Sequence, residues 1–209
     1  MARSIPTYEH ERLATLQGAC RIVGVDEAGR GPLAGPVTAA AVWLDPAHIP
    51  AGLGDSKQLS ARARDALFDQ IMASAVVGIG HATPAEIDAI NILQATFLAM
   101  RRAVAALRVA PDLALIDGNR LPPDLGCAGR TIIKGDAQVF SIAAASIIAK
   151  VTRDRIMTEL DRKHPGYGWR ENAGYPTKRH INAIADLGVT AHHRRSFAPI
   201  RNILCGQST

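Results

Sequence analysis

The stretch Val25-Asp26-Glu27-Ala28-Gly29-Arg30-Gly31-Pro32-Leu33-Ala34-Gly35-Pro36 decides how the chain reads. It places two adjacent carboxylates at the end of an apolar run, Arg21-Ile22-Val23-Gly24-Val25, and follows them at once with a glycine-rich turn that carries one arginine. A β-rich run that stops in Asp-Glu holds acids at the mouth of a sheet, where their oxygens can bind a hard divalent cation. Glycines lack Cβ atoms, so the next backbone segment can approach a ligand and aim its N–H groups at phosphate oxygens. Carboxylates for metal and a backbone nest for phosphate point to phosphodiester chemistry. Adjacent strand residues face opposite ways, so Asp26 and Glu27 share a site only if the strand ends or twists there, which the glycine turn permits.

Two duller readings compete. A dinucleotide-binding loop through Gly29, Gly31 and Gly35 needs a helix directly after the glycines. Pro32 and Pro36 flank the turn instead, and Val37 to Leu44 reads as a second strand. A tight hairpin with solvated acids is the plainer alternative.

Outward from the hairpin, the chain alternates helices and strands. Strand one covers about Cys20 to Asp26, after a loose or helical lead-in over residues 1–19. An irregular connection, Asp45 to Leu59, carries Gly54-Asp55-Ser56-Lys57, and loops of that length are often functional. Ser60 caps a helix to about Ala75, and Val76 to His81 is a third strand. Thr83-Pro84-Ala85-Glu86 is a capping box that opens a helix to about Arg108, with a break near Asn91. The run to Ile116-Asp117-Gly118 repeats the logic of the first strand, and a fifth strand, Arg130 to Lys134, ends in Gly135-Asp136. Three apolar runs thus terminate in acids, although a single Asp beside glycine is ordinary turn chemistry.

Ala137 to about Arg162 reads as a long helix with Asp136 at its N-terminus, where the helix dipole favours an ionised carboxylate. The loop from His164 to Pro176 holds Tyr167, Trp169 and Tyr175, which can stack on a sugar or base. For Tyr167 and Trp169, aromatic packing that pins the loop explains them equally well. Thr177 caps a last helix before Gly188, and the basic tail His192-His193-Arg194-Arg195-Ser196-Phe197 reads as surface or phosphate contacts. Strands and helices interleaved after an initial hairpin indicate an α/β, partly antiparallel sheet with helices packed on it.

Composition sets the outer bounds. The 209 residues suit a single domain, 20–209, behind the lead-in, and the charge of +5 gives a basic surface of the kind that meets polyanions. Arg101-Arg102, Arg153, Arg155 and Lys178-Arg179-His180 supply that charge, or simply solvate helix faces. No run approaches the roughly 20 apolar residues of a membrane span, and the polar start lacks a signal-peptide core, so a cytoplasmic protein away from membranes is expected. Cys20, Cys127 and Cys205 form no CxxC pair and read as reduced thiols.

From Asp26 to Val37 the sequence resembles the ribonuclease HII family. The likeness continues through Asp55-Ser56-Lys57-Gln58-Leu59-Ser60, Ile116-Asp117-Gly118, Lys134-Gly135-Asp136, Ser141 to Asp154, Gly174-Tyr175-Pro176-Thr177 and His193 to Phe197, in the family's order. The resemblance implies a ribonuclease H-like mixed five-stranded sheet flanked by helices, with a C-terminal helical extension. It implies hydrolysis of the RNA strand of RNA/DNA hybrids and cutting at single ribonucleotides in duplex DNA by a monomer, with roles in DNA replication and repair. Products would carry 5′-phosphate and 3′-hydroxyl ends. By position, Asp26, Glu27, Asp117 and Asp136 match the family's acidic metal-binding and catalytic residues, which would hold two Mg²⁺ or Mn²⁺ ions for in-line attack by water. Gly29, Arg30 and Gly31 match the segment that senses the ribonucleotide 2′-hydroxyl, Lys57 a phosphate-binding lysine, and Tyr175 the tyrosine that reads the RNA-to-DNA junction. One departure is Asn172-Ala173, where many relatives carry His-Lys or Asn-Lys. A hybrid-binding module without cleavage is the runner-up, and it would need no acidic quartet.

Overall fold

The computed structural model describes residues 5–54 and 59–206, so Lys57 lies outside the described residues. Five strands, β1 (Ile22–Ala28), β2 (Val37–Trp43), β3 (Val76–Ala82), β4 (Leu113–Asp117) and β5 (Ala128–Ile132), form one sheet in the order β3-β2-β1-β4-β5. The meander β1-β2-β3 is antiparallel, and β4 and β5 are added in parallel on the other side of β1. The helices are α1 (Glu9–Leu16), α2 (Ala61–Ser74), α3 (Pro84–Ala105), α4 (Phe140–Lys163), α5 (Trp169–Asn172), α6 (Lys178–Leu187) and α7 (Ala198–Leu204).

The central strands are apolar at nearly every position because both faces of the sheet are covered. Val37, Ala39 and Ala41 of β2 pack with Ala95, Ala99 and Ala103 of α3, whereas Ala40 and Val42 pack with α2 and α4. The small side chains let helices approach closely, and Gly24 takes this furthest. A Cβ there would overlap the main chain of Ser141 and Ile142 at the start of α4. Gly24→Ala is therefore expected to cost about 1–3 kcal/mol, the scale of overpacking. A lowered denaturant midpoint at unchanged m-value would show it, and an unchanged midpoint would contradict the close approach.

The local signals act as read. The Ser60 side chain accepts from Ala63 N–H at 3.2 Å, Thr83 and Glu86 complete a capping box, and α3 breaks at Asn91 (φ 65°), whose Oδ1 caps Leu93 and Gln94. Four expectations need correction. Strand β1 continues to Ala28 rather than ending at Asp26, and β5 lies two residues earlier than expected. Asp136 belongs to a separate 3-10 turn, Gly135–Ala137, and α4 begins only at Phe140, so Asp136 is not at that helix's N-terminus. The segment read as a loop, His164 to Pro176, contains α5, and α7 follows the basic tail, so the helix capped by Thr177 is not the last. Helix α5 is a single turn between Gly168 (φ 67°) and Ala173 (φ 47°), too short to show a period in sequence.

The lead-in segment is built into the fold. Thr7 N–H donates to Gln138 O at 2.9 Å, Phe140 N–H donates to Thr7 O at 3.1 Å, and the buried Glu11 carboxylate accepts from Ser141 N–H at 2.9 Å. A carboxylate from one helix thus satisfies an orphan donor at the first turn of another. A third apolar cluster joins Leu33 and Ala34 of the glycine turn to Met157, Trp169, Ile184 and Ile200, which anchors the turn to the C-terminal helices. Among the described residues no helix is long and apolar enough to cross a membrane.

Candidate active site

The site forms where the sheet opens. Strand β1 pairs with β4 only from Ile22 to Val25, whereas its pairing with β2 runs from Gly24 to Ala28. Past Val25 the edge of β1 that faces β4 is unpaired with it, and two cavities meet there. One, of about 400 Å³, is lined by Asp26, Glu27, Ala28, Gly29, Arg30, Gly31, Asp117, Ser146, Lys150, Arg153 and Tyr175. The other, of about 340 Å³, lies toward α3 and is lined by Glu27, Arg30, Asp117 and Arg120 together with Leu93, Thr96 and Phe97.

This arrangement resolves the alternation problem without ending the strand. Asp26 lines only the cavity next to α4, while Glu27 and Asp117 line both cavities. The acids therefore gather around an open strand edge rather than on one face of the sheet. Asp117, the last residue of β4, is fixed by the N–H of Gly135, which donates to its Oδ1 at 2.7 Å. That bond sets Asp136, one residue on and buried, beside the group, although Asp136 lines neither of these two cavities.

Electrostatics follow from crowding. Burial, then the charges of Glu27 and Asp117, push the Asp26 carboxyl well above the usual range. Burial also raises Glu27; Arg30, 3.3 Å away, partly offsets this, and Asp117 adds to it. Among the described residues no three His, Cys, Asp or Glu side chains are already gathered as a metal cage. Even so, the donor set is all hard oxygen, and mutual repulsion among its carboxylates is what a divalent cation relieves, so the residues fit such an ion.

The glycine turn forms the rim. Gly29 and Gly35 have φ of 93° and 82°, and a Cβ on Gly31 would stand 3.4 Å from Cε1 of Tyr175, so that ring lies against the turn. Tyr175 is 46% exposed, against 4% for Tyr167 and 0% for Trp169. The latter two stack at 4.8 Å between centroids and pin the loop, as the plainer reading had it. Trp169 Nε1–H donates to His180 Nε2 at 2.9 Å, and the other ring nitrogen of His180 donates to Tyr175 O at 2.9 Å. In the departing dipeptide, Asn172 Nδ2 donates to Tyr167 O and its Oδ1 accepts from Gly174 N–H, so the loop keeps its shape through Asn172.

Several basic residues are placed differently from the sequence reading. His193 is buried against His180 rather than on the surface. Arg102, Arg155 and Arg179 instead lie on helix faces, as the plainer reading of those charges had it, Arg102 paired with Glu86, Arg179 with Glu171, and Arg155 over the Phe68 ring. Arg153 and Arg194, read as surface charge, are 1% and 0% exposed, and their guanidinium groups hold main-chain carbonyls behind the turn. Helical spacing held a signal for Arg153, which lies four residues after Ala149 and four before Met157 on a buried stripe.

A family model described as Ribonuclease HII matches residues 23–200. The Ribonuclease HII of Paracoccus denitrificans is 57% identical over 204 residues, which cover 98% of this chain and 97% of that protein. Among solved structures, the ribonuclease H2 of Pyrococcus horikoshii superposes with a TM-score of 0.73 at 30% identity, covering 88% of this chain and 97% of that one. Bst-RNase HIII, solved in complex with Mn²⁺, shares the fold with a TM-score of 0.69 at 22% identity, over 92% of this chain and 71% of that one.

Proposed function

Since the chain belongs to the ribonuclease HII family of ribonuclease H enzymes, we propose that it hydrolyses the RNA strand of RNA/DNA hybrids and cuts at single ribonucleotides embedded in duplex DNA. The products carry 5′-phosphate and 3′-hydroxyl ends, and the enzyme works as a cytoplasmic monomer with residues 20–209 as its catalytic domain. The observation that carries this reading is the meeting of Asp26, Glu27 and Asp117 at the open edge of β1, with the glycine turn and Tyr175 along one rim.

Asp26, Glu27 and Asp117, with Asp136 beside them, are the residues that would hold Mg²⁺ or Mn²⁺. The chemistry such ions supply when bound is Lewis-acid assistance to water attack on the phosphate and neutralisation of charge at the leaving 3′-oxygen. The chain's own part is to position. The Gly135 N–H fixes the Asp117 carboxylate, and Arg30 turns Glu27 toward the rim. Gly29, Arg30 and Gly31 bring main chain against the 2′-hydroxyl, the group that tells RNA from DNA. Tyr175 packs beneath the neighbouring deoxyribose, where a second 2′-hydroxyl would crowd the ring. Lys57 adds a phosphate contact.

The test is a duplex holding one ribonucleotide, incubated with Mn²⁺ and with chelator. Cleavage at the ribonucleotide that stops with chelator is expected, and no cleavage with metal would remove the reading. Tyr175→Ala is expected to lose about 1–3 kcal/mol of productive binding at a junction, the scale of one stacking contact, and less on uniform hybrids. The measure is cleavage of the single ribonucleotide over cleavage of a long hybrid. An unchanged ratio with both activities lowered would make Tyr175 a structural residue of its loop.

A further inference from the structure

Two arginines are buried behind the glycine turn. Arg194 donates from Nε to Gly35 O at 3.0 Å, from Nη1 to Arg30 O at 2.9 Å and from Nη2 to Gly29 O at 2.6 Å. Arg153 donates from Nε to Pro36 O at 2.9 Å, from Nη2 to Ala34 O at 3.1 Å and from Nη1 to Ala173 O at 3.0 Å. Every guanidinium nitrogen is committed to a main-chain carbonyl. A buried cation costs several kcal/mol unless it is fully hydrogen-bonded, and an apolar side chain would fill the same space without that cost. The two charges are therefore retained for the main-chain geometry they hold.

That geometry has a direction. A trans peptide sets the N–H of one residue opposite the C=O of the residue before it, and the described chain has no cis peptide bonds. With Gly29 O and Arg30 O drawn back onto Arg194, the N–H groups of Arg30 and Gly31 are turned away from it. Gly29, Arg30 and Gly31 all line the cavity that Asp26, Glu27 and Asp117 also line. Arg153 extends the same clamp across a second loop, because Ala173 lies two residues before Tyr175. The two loops are also joined directly, Leu33 N–H donating to Gly174 O at 2.7 Å. Burial pulls Arg153 down to about 10; burial and the charge of Arg153 pull Arg194 down to about 9, and both stay cationic at neutral pH.

We propose that Arg153 and Arg194 are positioning residues for ribonucleotide selection. Arg194 sets the N–H groups of the turn toward the 2′-hydroxyl, and Arg153 fixes the distance from that turn to Tyr175, so that sugar sensing and junction reading act as one rigid gauge. This rests on the nuclease reading above. Arg153→Lys keeps the charge and loses the three-way fork. Its kcat/KM on a duplex with one ribonucleotide is expected to fall roughly 10–100-fold, the effect of a displacement near 1 Å, while a long hybrid, which offers many registers, falls much less. In the Arg153→Lys background, Tyr175→Ala should cost less than it does in the parent. Arg194→Lys breaks the other half of the clamp and should shrink the Tyr175→Ala effect likewise. Equal falls on both substrates, or strictly additive effects with Tyr175→Ala, would overturn the proposal. So would failure of both lysine variants to fold by thermal melting, since the arginines would then serve stability alone. A parent that cuts neither substrate would instead remove the nuclease reading.

Discussion

Asp117→Asn is expected to fold as the parent does and to lose cleavage by more than the roughly 100-fold that follows loss of a group outside a metal's ligand set. The amide keeps an oxygen that can accept the Gly135 N–H now held at 2.7 Å, so the link from β4 to the turn bearing Asp136 survives. What disappears is a negative charge at a position that, like Glu27, touches both cavities. A neutral oxygen binds a hard divalent cation far more weakly than a carboxylate. The same loss relieves Asp26 and Glu27, both raised in part by Asp117. A carboxyl whose folded pKa lies above its unfolded value opposes folding as pH rises through that interval, so removing a cause of the rise favours the folded state near neutral pH. The melting temperature should therefore be unchanged or higher while activity in Mg²⁺ collapses. Turnover near the parent's would sink the assignment of Asp117 to the metal site, and weakened Mn²⁺ binding measured by titration would support it independently.

A pH effect on stability is expected from the C-terminal histidines. His193 Nδ1 accepts from Thr190 N–H at 3.0 Å, and its Nε2 meets His180 Nε2 at 3.3 Å. Since His180 already accepts from Trp169 at Nε2, the proton between the two rings belongs to His193. Adding a proton at Nδ1 would set it against the Thr190 N–H. Burial, with the nearby His180 and His192, holds His193 down to about 4 from 6.5. The unfolded chain thus binds the proton first, and stability present above pH 6.5 is lost as pH falls toward about 4. At 1.36 kcal/mol per pH unit, this amounts to roughly 3 kcal/mol. Asp26, Glu27 and Glu11 act with the opposite sign because their folded values are raised. The measure is therefore the difference between the parent and His193→Gln in denaturant midpoints from pH 8 to pH 4. A flatter curve for the variant below pH 6.5 is expected, and parallel curves would contradict the assignment.

Legibility in the sequence varied with how local the cause was. The hairpin, the Ser60 cap and the Thr83–Glu86 box depend on residues a few positions apart, and they appear where their chemistry places them. The acids were legible because each ends an apolar run. That Asp26 and Glu27 meet around an edge was not, because it depends on β4 ceasing to pair with β1 after Val25, a register set by the whole sheet. Buried Arg194 and exposed Arg195 are adjacent identical letters. Only the turn packed against Arg194, more than 150 residues earlier in the chain, distinguishes them.

The bond from Ser141 N–H to Glu11 spans 130 residues of chain. During synthesis at about 5–20 residues per second, Glu11 is made roughly 7–26 s before its partner. Through that interval α1 has no first turn of α4 to dock on, and its carboxylate remains hydrated. The meander β1-β2-β3 can pair meanwhile, since its contacts are close in sequence. The amino-terminal clasp is thus among the last parts of the molecule to close, and it cannot close on a chain released before residue 141.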